Sequence, residues 1–224
     1  MNFPFLCTTP LFQGTTPEEA ETMLECMGAY TRRYGRQETV CHAGETVRSL
    51  GLVLSGGVNI EADDAWGNRS ILSHVEAGQI FAETYACIPG QPLLVTVTAT
   101  EETEILFLNT SKILQTCTSA CAHHSRLIQN LLQISARKNL ALSRRMLHTA
   151  SKTIRDRLLS YLSQQALEAG SRRFSIPFDR QQLADYLGVD RSALSGELSK
   201  MQREGLLQCR KNVFELNETG GIEE

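Results

Sequence analysis

Between Lys112 and Leu147 the chain runs for 36 residues without a proline or a glycine. A stretch of that length with no backbone breaker reads as one long helix or two in series. It divides a β-rich first half from a second half built of short helical patterns. Leu127, Leu131 and Ile134 fall at a 4-3 spacing along it, with Ile128, Leu132, Leu142 and Met146 beside them. That apolar surface is wider than packing on one domain needs, so the helix has a seam for its own domain and a second seam for another copy of itself. A buried helix of a monomer is the competing reading, and a homodimer is the expectation.

The 224 residues, 42% hydrophobic, suffice for two modest domains. No run of 18 or more apolar residues occurs, and MNFPFLCTTP lacks a charged segment followed by an apolar one. Neither a membrane span nor a secretory signal is therefore expected, which points to the cytoplasm. Seven irregularly spaced cysteines without a CxxC read as free thiols of a reducing compartment. The net charge of −3 conceals an asymmetry. Residues 1 to 118 carry −8, residues 119 to 216 carry +8, and the last eight residues carry −3. A basic half suits a polyanionic partner.

Before the long helix, PEEAETMLECMGA (17 to 29) forms a short amphipathic helix with Ala20, Met23, Leu24 and Met27 on one face. From Thr39 to about Asn109, short β-rich runs alternate with turn signals, among them GLVLSGGVNIEA, ILSHV, LLVTVTAT and EILFLN. Five or more strands at that spacing predict an antiparallel sandwich or roll. After the long helix, His148 to Ser151 interrupts the pattern as a hinge, TIRDRLLSYLSQQALEAG forms a further helix, and SRRFSIPFD reads as a short strand or extended link.

In DRQQLADYLGVDRSALSGELSKMQREGLL, Asp179 caps a helix from Arg180 to Leu187, Gly188 takes a left-handed turn, and Asp190 caps the next helix. Leu194, Leu198 and Met201 point inward against Leu183 and Leu187. The opposite face carries Ser192, Gly196, Ser199 and Arg203, flanked by Ser195 and Lys200, with Arg191 at the start. LLQC, RKN and VFEL then form a hairpin with Arg210 and Lys211 at its tip. A helix-turn-helix followed by a wing fits the major groove of duplex DNA, with basic side chains around it on the phosphates.

A β-roll containing VLSGGVNI and AGQIFAETYA, a long helix, and the quoted helix-turn-helix together resemble the CRP/FNR family of bacterial transcription regulators, over nearly all of the chain and in the same order. The resemblance implies an α+β chain with an N-terminal double-stranded β-helix (jelly roll, cyclic-nucleotide-binding-like; 1 to 118), a dimerisation helix (119 to 147) and a C-terminal winged helix-turn-helix (148 to 224). It further implies a homodimer on a roughly palindromic duplex operator, contact with RNA polymerase if it activates, and a signal sensed in the roll.

The base-reading Arg, Glu and Arg of the best-known members match Arg191, Ser192 and Gly196, so only the first arginine is kept. Arg191 is expected to read a guanine, with shorter contacts from Ser192 and Ser195 and a closer backbone approach at Gly196. Arg180 matches a phosphate-contacting position, and Lys200, Arg210 and Lys211 are further phosphate candidates. For cyclic nucleotides the family uses a Gly-Glu pair and, ten residues beyond the glutamate, an Arg-Ser pair. Here Glu83 remains, while Ala82, Leu93 and Leu94 occupy the other positions. Leucine cannot pair with a phosphate, so cyclic AMP is not the expected effector. The effector stays unidentified, with Glu83, Leu93, Leu94 and Asn139 of the long helix as candidate lining residues, and no cofactor is assigned.

The family's iron-sulfur branch needs clustered cysteines, and Cys7, Cys26 and Cys41 are too scattered. CTSACAHH places Cys117, Cys121 and His124 on one helical face, a set able to hold zinc or haem iron, although small buried hydrophobes at a helix entrance explain the cysteines better. His42, His74 and His148 stand alone, and Trp66 sits in a turn. A cupin-type enzyme would need an HxH pair where CHAGE has one histidine, and no GxSxG, Walker loop or HExxH occurs. The remaining alternative is a dimeric ligand- or metal-binding β-roll protein with degenerate DNA binding.

Overall fold

The computed structural model describes residues 1–63, 69–114 and 122–217. Two compact units divide the chain, Met1–Arg137 and Lys138–Glu224. The first opens with α1 (Phe3–Thr8) and α2 (Pro17–Met27), the latter started by a capping box between Thr16 and Glu19. Then come β1 (Tyr30–Tyr34), β2 (Thr39–Cys41), β3 (Ser49–Ser55), β4 (Gly57–Asp63), β5 (Arg69–Glu76), β6 (Ile80–Phe81), α3 (Glu83–Ala86), β7 (Thr96–Ala99), β8 (Thr103–Asn109) and α4 (Thr110–Leu114). The strands form two antiparallel four-stranded sheets, ordered β1-β8-β3-β6 and β2-β7-β4-β5.

Strand alternation explains how one sheet serves two cores. In β8, Ile105 and Phe107 enter the core between the sheets with Val53, Val58 and Val97. The intervening Leu106 and Leu108 turn outward to join Leu50, Leu52, α1, α2 and Leu127 of the long helix. At the β3–β4 turn, Gly56 has φ +75°, and a Cβ there would lie 2.5 Å from the Glu102 carbonyl oxygen. Only glycine closes that turn.

The long helix α5 (Ala122–Thr149) begins on the first unit. Asn130 donates from Nδ2 to the carbonyls of Leu11 and Gln13, both at 2.9 Å, and Arg126 bonds the Gly14 carbonyl. Leu132, Leu140, Leu142, Met146 and Leu147 of the same helix remain exposed, a second apolar surface left uncovered among the described residues.

The second unit contains the end of α5, then α6 (Ile154–Ala169), β9 (Arg173–Ser175), α7 (Arg180–Leu187), α8 (Arg191–Arg203), β10 (Leu207–Arg210) and β11 (Val213–Leu216). Its core joins Leu158 and Leu162 of α6, Leu183 and Leu187 of α7, Leu194, Leu198 and Met201 of α8, and Phe174 and Phe214 of the sheet β10-β11-β9. Among the described residues no helix is long and apolar enough to cross a membrane.

Two sequence readings change. The break expected at His148 to Ser151 comes later, because α5 continues through Thr149 and His148 is buried within it. His148 Nδ1 lies 3.0 Å from the Ser160 hydroxyl, and its ring meets Tyr161 edge-on. The final turns of α5 thus pack on the winged helix, and the two units divide inside the helix at Arg137 and Lys138. The second change is β1, missed in the sequence because YTRRY exposes four of its five residues and so shows no apolar alternation.

Candidate nucleic-acid interface and effector site

The interface is built by caps. Asp179 accepts from the Gln182 amide at 2.9 Å while Gln182 Oε1 accepts from the Asp179 amide, which starts α7. Gly188 ends α7 in the left-handed conformation, φ +64°. Asp190 accepts from the Ala193 amide at 2.9 Å and starts α8. Hydrogen bonds from the Ser192 hydroxyl and then from the Ala193 amide hold the Asp190 carboxyl below its usual range, so the cap stays charged at neutral pH.

With Leu194, Leu198 and Met201 turned inward, the free face of α8 is the one named from the sequence. Arg191, Ser192, Gly196 and Lys200 are exposed and Ser195 is half-buried. A Cβ added at Gly196 meets nothing within 4 Å. No packing within the chain therefore requires a glycine, and its effect is to leave the helix surface bare. The Ser192 hydroxyl already bonds Asp190, and the Ser199 hydroxyl bonds the Ser195 carbonyl.

In the wing, Arg210 pairs with Val213 across the turn Lys211-Asn212. Lys211 holds φ +56°, a conformation costing a lysine on the order of 1 kcal/mol, and its side chain is thereby presented at the exposed tip with Arg210. Arg180 is half-buried, its guanidinium 5.1 Å from the Phe214 ring centre and donating to Cys209 Sγ at 3.1 Å. Arg180, Gln181, Gln182, Arg191 and Lys211 line one groove between the start of α7 and the wing. The two glutamines lie in the first turn of α7 and carry no charge, so nothing in the sequence marks them as groove residues.

In the β-roll, Ala82 precedes α3 with φ +59° and ψ 7°, a left-handed conformation natural to glycine. Glu83 is buried just beyond it. The two leucines then part company. Leu93 is 2% exposed and joins the core between the sheets, its amide donating to the Glu45 carbonyl at 2.8 Å and its carbonyl accepting from the Gly44 amide at 2.7 Å. Leu94 is 73% exposed and faces solvent. Neither presents a cation to an anionic ligand. Asn139 belongs to the second unit, where its Oδ1 accepts from the Ser143 hydroxyl.

Burial pushes the Cys41 thiol up to about 11, and burial together with the nearby Glu83 charge raises Cys87, so both remain protonated and poorly nucleophilic at neutral pH. The described cysteines are all free thiols, and among the described residues no three His, Cys, Asp or Glu side chains form a metal site. Cys117, Cys121 and Trp66, together with the His124 side chain, lie outside the described residues.

Family models match both units. A cyclic nucleotide-binding domain covers residues 31–120, and a Crp-like helix-turn-helix domain covers residues 156–221. The chain is 26% identical over 196 residues to the CRP-like protein Clp of Xanthomonas euvesicatoria pv. vesicatoria, 81% of each chain. Among solved structures it resembles the c-di-GMP responsive global regulator CLP of Xanthomonas campestris, with TM-score 0.58, 22% identity, and coverage of 90% of this chain and 99% of that one. It also resembles the OCPA complex of CprK, with TM-score 0.66, 16% identity, and coverage of 89% and 91%.

Proposed function

The chain belongs to the CRP/FNR family of transcription regulators, which bind DNA and are not enzymes, and from that premise we propose that it acts as a homodimer on a two-fold symmetric operator under the control of a ligand other than cyclic AMP. Residues 1–118 are the sensor in this reading, 119–147 the pairing helix, and 148–224 the DNA-binding part. The observation that carries it is the free face of α8, where Arg191 and Lys200 stand exposed around a bare Gly196. Arg191 reads a guanine edge, Ser195 and the Gly196 backbone approach neighbouring bases, and Arg180, Lys200, Arg210 and Lys211 neutralise phosphates. The Ser192 hydroxyl reaches a base only by leaving Asp190. Two such helices on one dimer would occupy successive major grooves about one turn apart, and RNA polymerase is the further partner if the protein activates.

The exposed leucines and Met146 of α5 support pairing with a second copy. Against cyclic AMP stand Leu93, folded into the core, and Leu94, turned to solvent. The positive φ at Ala82 and the buried Glu83 favour a pocket of the family's shape that takes a less anionic molecule.

One specific observation favours a second reading, a ligand-binding dimer that has lost DNA recognition: Ser192 is tied to its cap and Gly196 has no side chain. Salt dependence separates the two. Four phosphate-contacting side chains per subunit give a dimer a log-log slope of about −7, so affinity for a promoter duplex falls about ten-thousand-fold between 50 and 200 mM salt. A flat dependence, or a monomer in native mass spectrometry, overturns the proposal. Cyclic AMP and cyclic di-GMP, added as probes in the same assay, ask whether either changes the affinity, and a response to cyclic AMP would contradict the sensor assignment.

A further inference from the structure

Not every basic side chain of the second unit is free to serve DNA, because Arg145, Arg155 and Arg157 are engaged by the protein itself. Arg155 of α6 pairs with Glu197 at 2.6 Å and Glu204 at 2.8 Å, tying α6 to the middle of α8 and to the residue just past its end. Its guanidinium is held more firmly protonated than usual by Glu204 and Glu197. Arg157, also of α6, donates from Nε to the Ser151 carbonyl at 2.7 Å and from Nη1 to the carbonyls of Leu187 and Gly188, at 3.0 and 3.2 Å. Arg145 differs in origin, since it comes from α5. Its Nη2 donates to the Asp185 carbonyl at 2.8 Å and its Nε to the Tyr186 carbonyl at 2.9 Å, with the guanidinium 5.7 Å from the Tyr186 ring centre.

Asp185 through Gly188 are the last residues of α7 and the turn of the helix-turn-helix. Carbonyls at a helix C-terminus lack intrahelical partners and carry the negative end of the helix dipole. Here four in succession are met by two guanidiniums, one from α6 and one from the long helix. Two residues past Gly188, Asp190 starts α8, so whatever orients this turn also orients α8. The planar fork of an arginine fixes an angle as well as a distance, because two of its N–H groups address two successive carbonyls. Around the same turn Tyr186 packs on Phe178, Tyr161 and His148, at ring distances of 5.0, 5.3 and 6.2 Å, which leaves the strut little room to swing.

We propose that Arg145 is a positioning residue for operator recognition, a strut that locks the last turns of the long helix to the turn of the helix-turn-helix and so sets the separation of the two recognition helices in the dimer. It touches no DNA, and its effect passes through the carbonyls of Asp185 and Tyr186. The inference rests on the reading of the protein as a dimeric, operator-binding regulator. It also gives the late break after Thr149 a purpose: α5 ends only after its side chains have gripped α7.

The test uses the full chain and a half-site selected by the wild-type protein from random duplexes. Inverted repeats of that half-site are made at the preferred separation and at one and two base pairs more or less. Affinity is measured for the wild type, Arg145→Gln and Arg145→Lys, with dimer mass and Tm recorded for each. The expected result is that both variants remain dimers and bind a single half-site as the wild type does. Their preference for the native separation should fall by roughly 2- to 30-fold, the range expected when one side chain coupling two elements is removed. Arg145→Lys keeps the charge and serves as the milder probe if Arg145→Gln folds poorly. Retention of the full spacing preference by a folded variant overturns the proposal. So does a loss of single half-site affinity in step with Tm, which would mark Arg145 as a stabilising residue only. A wild type that selects no half-site refutes the operator-binding reading itself, and that failure appears before any variant is compared.

Discussion

In the β-roll, Ala82 holds the left-handed backbone that begins α3 and Glu83 is buried beyond it, and the tenth residue after that glutamate is Leu93, packed in the core. In the winged helix, the caps at Asp179 and Asp190 and the turn at Gly188 hold α7 and α8 in place, and Arg191, Lys200, Arg210 and Lys211 remain exposed around the free face. Both regions hold their backbone in a defined frame, and only the second surrounds that frame with exposed cations. The charge division of the chain, −8 before residue 119 and +8 in residues 119 to 216, is the same contrast written in sequence. A backbone conformation does not by itself say which side chains accompany it. The ligand class must therefore be read from the side chains, region by region.

The largest expected effect breaks the comparison at the helix between the two regions. Leu142→Asp with Met146→Asp places charges on the exposed apolar surface of α5 and should convert the dimer to a monomer in native mass spectrometry. Affinity for an inverted-repeat duplex should then fall by about 10²- to 10⁴-fold, the loss of a bivalent attachment. Next, Arg191→Ala should remove about 1–3 kcal/mol of base discrimination at one position of each half-site, seen by comparing matched and substituted duplexes. In the sensor, Ala82→Gly relieves a positive φ and should raise thermal stability by about 1 kcal/mol without creating cyclic AMP binding. Restored cyclic AMP binding in that variant would show that the backbone, not the missing arginine, is what excludes the nucleotide. Lys211→Ala should lower the log-log salt slope by about one per subunit while leaving the preferred sequence unchanged.

The smallest effect is one of pH. Burial lowers the His148 pKa below its unfolded value of about 6.5. Below that value the unfolded chain binds the proton more readily than the folded one, so stability declines as pH falls from 7 through the unfolded pKa and levels off below the folded one. Above pH 7 this residue contributes no slope. Denaturation midpoints at pH 7.5 and 5.5 should differ less in His148→Gln than in the wild type.

The parts legible in the sequence were those fixed locally. Asp179, Gly188 and Asp190 act on amides and carbonyls within four residues, so both ends of α7 and the start of α8 could be placed from the caps alone. Strand β1 could not, because its pairing of Tyr30 with Phe107 and Tyr34 with Thr103 depends on a partner more than 60 residues away. The same distinction governs the site. Exposure of Arg191, Lys200, Arg210 and Lys211 followed from helix and hairpin periodicity. By contrast, Arg145, Arg155 and Arg157 are in the sequence simply part of the basic half, while their partners are the carbonyls of Asp185 to Gly188 and the carboxylates of Glu197 and Glu204, 30 to 49 residues along the chain. Counting charge cannot tell a cation that faces solvent from one that closes a helix end. The apolar fate of Leu93 was legible as a missing arginine, whereas the parting of Leu93 and Leu94 between core and solvent needed the backbone pairing with Gly44 and Glu45.

The most direct measurement is selection from a pool of random duplexes by the full-length protein, with Arg191→Ala run in parallel. The expected result is an enriched inverted repeat whose half-sites lie about one helical turn apart and share a guanine that the Arg191→Ala pool loses. A pool with no enriched sequence, or an enriched repeat that Arg191→Ala reproduces unchanged, would contradict it.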